Sequence, residues 1–176
     1  MPRNTNIETK ISIIIPSFNQ GEYIEETILS ILNQDYSNYE IIIFDGGSKD
    51  NTLQILQKYK SSISHLSVGK DKGQSDAIKK GFEIAEGGIL YWINSDDILG
   101  KNALQSINNL FLKTKKPSVF FGNMDIINSE SKFLFTKYLT PIPPIFGKYS
   151  IYRGLFGFYQ PSFFMTASAY RLTKGM

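Results

Sequence analysis

Four short apolar runs punctuate the first two thirds of the chain, each followed by a polar cluster. Lys10–Ile15 reads as a buried strand stopped by Pro16. Tyr39–Phe44 reads as a second, ending on Asp45, and Ile63–Val68 as a weaker third. The fourth, Ile89–Ile93, runs directly into Asn94-Ser95-Asp96-Asp97. Helical periodicity fills the intervals. Ile24, Ile28, Ile31 and Leu32 fall at i, i+4, i+7 and i+8, and a helix over Thr52–Lys60 has Ser48 or Asp50 in place to cap it. Further helices fit Ser75–Ala85 and Asn102–Thr114, the last with Leu104, Ile107, Leu110 and Phe111 on one face. Strand and helix alternate four times, and right-handed crossovers then make the sheet parallel: a doubly wound, Rossmann-like α/β unit flanked by helices.

The pattern changes after Thr114. Ser118–Met124 is another apolar strand, and Asp125–Asn128 with Phe133–Tyr138 form a hairpin about Ser129-Glu130-Ser131. Pro141, Pro143 and Pro144 mark a loop, Gln160–Met165 returns to the sheet, and Ser168–Leu172 begins a helix closed by Gly175. A helix closing so near Met176 reads as a domain that continues. The expectation is one domain over residues 1–176, C-terminally incomplete, with a ligand-binding part over 8–124 and the start of a second region over 125–176.

Composition narrows the chemistry. The 176 residues suffice for one domain with a sizeable core, and 41% hydrophobic content is ordinary for a globular protein. Without cysteine there are no disulfides and no thiolate metal ligands. Met1–Thr9 lacks an apolar core, and no run reaches the roughly 20 residues that span a bilayer, so a cytoplasmic chain is expected. From Lys132 onward there are six basic residues and no acidic one, so the first 131 residues carry −3 against an overall +3. Aromatic residues crowd the same basic stretch, including Phe133, Phe135, Tyr138, Phe146, Tyr149 and Tyr152. That mixture suits an anionic lipid-linked substrate or peripheral association with the inner face of a membrane, unless acidic partners lie elsewhere in the fold. His65, the only histidine, sits mid-strand and is read as structural.

In an open α/β sheet, ligands bind beyond the carboxyl ends of the strands. There the sequence gathers Pro16-Ser17-Phe18-Asn19, Asp45-Gly46-Gly47-Ser48 and Asn94-Ser95-Asp96-Asp97. Neither a dinucleotide glycine fingerprint nor a Walker loop is present, which leaves a nucleotide held by a carboxylate at its base and by a metal at its phosphates. Adjacent carboxylates suit a hard divalent cation, although Asp residues also cap helices. Four ordered segments then carry a resemblance: Ile13-Ile14-Ile15-Pro16-Ser17-Phe18-Asn19, Phe44-Asp45-Gly46-Gly47-Ser48-Lys49-Asp50-Asn51-Thr52, Asp71-Lys72-Gly73-Gln74-Ser75-Asp76-Ala77-Ile78-Lys79-Lys80-Gly81 and Trp92-Ile93-Asn94-Ser95-Asp96-Asp97. They are spread over about half of the chain, and it resembles the N-terminal part of a family 2 glycosyltransferase with the GT-A fold. Gln160-Pro161-Ser162 is similar to a segment on that family's acceptor side.

The resemblance implies an inverting transfer from a nucleotide-sugar donor, UDP-sugar favoured, to a saccharide or lipid-linked acceptor in surface polysaccharide synthesis, with no nucleic acid as partner. Asp45 would accept the imide N–H of a uracil packed on Pro16 and Phe18. Asn19, Asp71, Gln74, Asp76, Asn94 and Ser95 would complete the nucleotide-sugar site. Asp96, with Asp97, would ligate Mn²⁺ or Mg²⁺ at the diphosphate. The milder alternative is structural: Pro16 ends a strand, Phe18 joins the core, and Asp45 caps the loop before the second helix. Two departures stand out. Asn94 replaces the first acid of the family's Asp-x-Asp motif, and no Asp or Glu follows Glu130 where the family carries its general base. The base is therefore expected beyond Met176, with Asp125 as the weak internal candidate and little or no transfer from these residues alone. A nucleotidyltransferase, or a non-catalytic nucleotide-binding module, is the competing reading.

Overall fold

The computed structural model of the chain describes residues 8–114, 116–139 and 159–173. The proline-marked loop and the Gly175 cap lie outside them. Contacts divide the chain into two compact units, residues 1–119 with 164–176, and residues 120–163.

The strands are β1 (Ile11–Ser17), β2 (Tyr39–Asp45), β3 (His65–Val68), β4 (Ile89–Trp92), β5 (Val119–Phe121), β6 (Met124–Ile127), β7 (Phe133–Lys137) and β8 (Phe163–Thr166). The helices are α1 (Ile24–Leu32), α2 (Thr52–Lys58), α3 (Gln74–Ile84), α4 (Ala103–Thr114) and α5 (Ala167–Leu172). A six-stranded sheet runs in the order β3-β2-β1-β4-β8-β5, and β6 and β7 form a separate antiparallel pair. β3, β2, β1 and β4 pair parallel, while β8 returns antiparallel to β4. The mostly parallel sheet flanked by helices is the expected architecture.

β1 is buried along its whole length, as its run of isoleucines demands for a strand covered on both faces. It does not stop at Pro16. The strand continues to Ser17, with Pro16 opposite Phe44 in the β2 register. The reason is one-sided pairing: β4 pairs with β1 only as far as Ile14, so the N–H that proline lacks is not demanded by that neighbour. The apolar run Ser118–Met124 also differs from expectation, since it splits into β5 and the start of β6. His65 is exposed at the start of edge strand β3, its ring 5.4 Å from that of Phe44.

Helix faces follow the periodicity with two exceptions. On α4, Leu104 and Ile107 are buried but Leu110 is 47% exposed, and Asn108 takes the inner position instead. Its Oδ1 accepts the Thr9 N–H at 3.1 Å, which satisfies a polar group in the core. On α1, Thr27 lies buried among isoleucines because its hydroxyl donates to the Asp97 carbonyl at 2.8 Å, tying α1 to the loop after β4. α3 sits unusually close to the sheet. A Cβ at Gly81 would fall 2.5 Å from Ile14 Cγ2, so only glycine admits that separation. Phe82 then packs its ring against Trp92 and Tyr170, and Tyr91 stacks on Phe164 at 4.0 Å.

The amino ends of β1 and β2 are locked by a buried carboxylate. Glu40 accepts from the Ser12 hydroxyl, from the Glu86 N–H at 2.9 Å and from Lys10 Nζ at 3.0 Å. Burial pushes the Glu40 carboxyl up, but these donors outweigh it and hold the group below its ordinary value of 4.5. A depressed folded value means that the contribution is present above the unfolded value and lost as pH falls through the folded one. Glu40→Gln should therefore flatten the acid limb of the stability curve, read as urea midpoints between about pH 6 and about pH 3. An acid limb as steep as in the parent chain would assign it to other carboxylates.

Candidate active site

The loops leaving β1, β2, β3 and β4 enclose a cleft of about 1020 Å³ at the carboxyl edge of the sheet, within the first unit. β1 contributes Pro16, Ser17 and Phe18; the β2 loop, Gly46 to Lys49; the β3 loop, Val68 to Asp71 with Gly73 and Gln74; and the β4 loop, Asn94, Ser95 and Asp96. Phe18 is 58% exposed on this concave surface, so it is a platform and not a core residue.

Asp45 lies under the cleft floor, only 2% exposed. Its Oδ1 accepts the N–H groups of Gly47 at 3.0 Å and Ser48 at 2.8 Å; its Oδ2 accepts the hydroxyls of Ser17 at 3.0 Å and Ser48 at 2.6 Å. Four donors fill the acceptor capacity of a carboxylate. Asp45 thus plays the loop-ordering part that its spacing before α2 allowed, and the adjacent cleft wall is Gly46.

Asn19 is likewise a fastener. It adopts a left-handed conformation at φ 52°, which asparagine tolerates better than most residues. Its N–H donates to Ser48 Oγ at 2.8 Å and its Oδ1 accepts the Lys49 N–H at 2.8 Å, joining the β1 and β2 loops. Ser48 is therefore occupied elsewhere and does not cap α2. The N-cap of α2 is Asn51, with no side-chain cap bond, and Asp50 just before it accepts the Thr52 N–H at 3.0 Å and the Gly21 N–H at 3.0 Å. Asp76 points back into its own helix: its Oδ2 pairs with Lys80 at 2.7 Å and accepts the Lys72 N–H at 3.2 Å. The Lys80 ammonium holds its carboxyl below the ordinary range.

The loop after β4 is ordered by Asn94. Its Oδ1 accepts from Gln74 Nε2 at 2.7 Å, and its Nδ2 donates to Asp97 Oδ2 at 3.0 Å. An aspartate at position 94 would instead set two carboxylates against each other. Burial, and then the charge of Asp96, push the Asp97 carboxyl up. Asp97, half-buried and bonded to Asn94, faces the loop, whereas Asp96 is exposed on the cleft. Among the described residues there is no group of three or more His, Cys, Asp or Glu that would cage an ion. The donor set fits a cation held by one carboxylate and completed by substrate phosphates and water, a common arrangement for Mg²⁺.

Sequence reasoning passed over Gly46, Lys49 and Lys70, all of which line the cleft. The two lysines bring positive charge to a site expected to take a diphosphate, and both lie inside or beside motif segments. Asp125 belongs to the second unit, where its Oδ1 on β6 accepts the Thr136 hydroxyl of β7 at 2.6 Å.

Asp45→Ala should cost about 1–3 kcal/mol, the penalty for leaving buried donors without an acceptor, measured by urea denaturation. A loss below about 0.5 kcal/mol, as at an ordinary surface site, would show that the loops hold themselves.

Comparison with known proteins gives the same architecture a lineage. Poly(ribitol-phosphate) beta-N-acetylglucosaminyltransferase TarP of Staphylococcus aureus is 35% identical over 105 residues, 57% of this chain and 32% of that protein. UDP-Glc:alpha-D-GlcNAc-diphosphoundecaprenol beta-1,3-glucosyltransferase WfgD of Escherichia coli is 35% identical over 122 residues, 69% of this chain and 48% of that one. The chain thus spans a third to a half of the length of these relatives. Among solved structures, S. aureus TarS 1-349 in complex with UDP-GlcNAc superposes with a TM-score of 0.72 at 22% identity, over 94% of this chain and 47% of that one. TarS 1-349 in complex with UDP gives 0.55 at 28% identity, over 62% and 34%. The fold is GT-A. The description Glycosyl transferase family 2 matches residues 12–171, and the chain belongs to that family.

Proposed function

We propose that this chain forms the donor-binding part of a transferase that moves a sugar, with inversion, from a UDP-sugar to a saccharide or lipid-linked acceptor in surface polysaccharide synthesis. One observation carries the reading: a single cleft joins an exposed aromatic platform, Phe18, to an outward carboxylate, Asp96, from adjacent strands β1 and β4. The UDP complex of TarS and the printed activities of TarP and WfgD support the choice of donor and acceptor class.

In this reading the base lies on Phe18 and the diphosphate reaches the β4 loop. Lys49 and Lys70 offset part of its charge. Asp96 would hold Mn²⁺ or Mg²⁺ together with the diphosphate oxygens. Such a cation, when bound, stabilises charge on the departing nucleoside diphosphate. Ser95 is 4% exposed on the cleft wall and Asn94 bonds Asp97, which leaves Asp96 as the outward carboxylate of the loop. The acceptor hydroxyl must lose a proton as it attacks the anomeric carbon. Of the other carboxylates at this edge, Asp45 is saturated and Asp97 is bonded to Asn94, and in this reading Asp96 is committed to the phosphates.

Calorimetric titration of UDP with Mn²⁺ and with EDTA tests the metal. Affinity should fall with EDTA, Asp96→Ala should abolish the metal-dependent part, and Asp97→Asn should retain it. Equal affinity in both buffers would remove the cation from the site. Sugar release from labelled UDP-, GDP- and dTDP-sugars tests the reaction, with the UDP-sugars expected to lead. Release from none of them would leave a binding module.

A further inference from the structure

A row of polar side chains on α1 holds the loop that carries Asp96. Thr27, Ser30 and Gln34 follow one another at i, i+3 and i+7, along one side of α1 and the turn that closes it. The Thr27 hydroxyl donates to the Asp97 carbonyl at 2.8 Å. Ser30 Oγ donates to the Thr27 carbonyl at 2.7 Å and accepts the Leu99 N–H at 3.0 Å. Gln34 Nε2 donates to the carbonyls of Ser30 and Gly100, each at 3.0 Å, and its Oε1 accepts the Leu104 N–H at 3.4 Å. On the loop side all of these partners are main-chain groups, so the row fixes the course of the loop whatever its side chains.

The row has a physical cause. Residues 93–102 form neither helix nor strand, so their peptide groups depend on other elements for partners. Thr27 is 1% exposed, where a hydroxyl is costly unless it is bonded. Valine would keep its volume and leave the Asp97 carbonyl without this donor. Asp96 therefore stands between two clamps. On its amino side Asn94 accepts from Gln74 of α3, and on its carboxyl side the first α1 contact falls on the next residue, Asp97. Between the clamps the chain turns, closed by the Asp97 N–H on the Asn94 carbonyl at 3.2 Å. A single carboxylate that shares a cation with phosphate oxygens is aimed by the main chain that bears it.

We propose that Thr27, Ser30 and Gln34 are positioning residues for the cation: α1 sets the direction of Asp96 by fixing the main chain on its carboxyl side. This rests on Asp96 being the cation ligand of a nucleoside-diphosphate site.

UDP is titrated calorimetrically, with Mn²⁺ and with EDTA, into the parent chain, Thr27→Val and Thr27→Ser, and the urea midpoint of each is measured. The ratio of the two affinities isolates the metal-dependent part. Thr27→Val should lower that ratio by about ten-fold, as expected of a residue that orients a metal ligand, with UDP affinity in EDTA unchanged. Thr27→Ser keeps the hydroxyl and should restore the parent ratio. If Thr27→Val does not fold, Gln34→Met, at the half-buried end of the row, is read in its place and should lower the ratio too. Glu40→Gln, at the opposite edge of the sheet, is the control for lost stability and should leave the ratio as it is. A fall of equal size there, or a ratio unmoved in the α1 variant while its urea midpoint drops, would reduce the row to a purely structural role and overturn the inference. A parent ratio of one would remove the cation itself, and the positioning role with it.

Discussion

The Asp45 carboxylate binds two strand ends and a loop into one rigid edge, and the cleft is arranged on that edge. A buried charge in an apolar sheet is costly unless its acceptor sites are filled. Here the cost is offset by two hydroxyls and two backbone N–H groups that the β1 and β2 loops would otherwise leave unsatisfied. The arrangement also determines which atoms can meet a ligand. With Asp45 turned under the floor, Gly46 forms the surface, and a Cβ there would crowd the Phe18 ring at 3.2 Å.

A second tie runs across the cleft. Gln74 begins α3, Asn94 follows β4, and the hydrogen bond between them joins two of the residues that line the cleft. Asn94 serves both neighbours only because an amide carries an acceptor and a donor, whereas a carboxylate could accept from Gln74 but would repel Asp97. The departure from an Asp-x-Asp sequence is thus intelligible within this loop. The remaining outward carboxylate, Asp96, is enough for a cation that brings phosphate ligands with it.

Much of this was legible in the sequence because strands buried on both faces leave unbroken apolar runs. The isoleucines of β1 and β2, and the four polar clusters that follow β1 to β4, located the sheet and the edge at which the cleft opens. The errors share a cause. Pro16 remains in β1 because its neighbour stops short, and Leu110 is exposed because Asn108 finds a partner at Thr9, facts of register that local pattern does not contain. Which of two acids faces the cleft is likewise a matter of side-chain direction. Asp45 and Asp71, or Asp96 and Asp97, are equivalent in composition and opposite in environment.

The closeness of α3 to the sheet reaches further than packing. Gly81 lies two turns from Gln74 on a continuous helix, and its missing side chain sets the height at which that helix crosses Ile14. Gln74 and the loop bearing Asp71 inherit their positions from this contact. Substitutions at Gly81, Ile14, Gln74 and Asp71 should consequently not act independently: a change tolerated at one depends on the residue at another, although Gly81 lines no part of the cleft. In evolutionary terms the cleft and the helix spacing form one epistatic unit, and the room the cleft offers is inherited together with a glycine that does not border it.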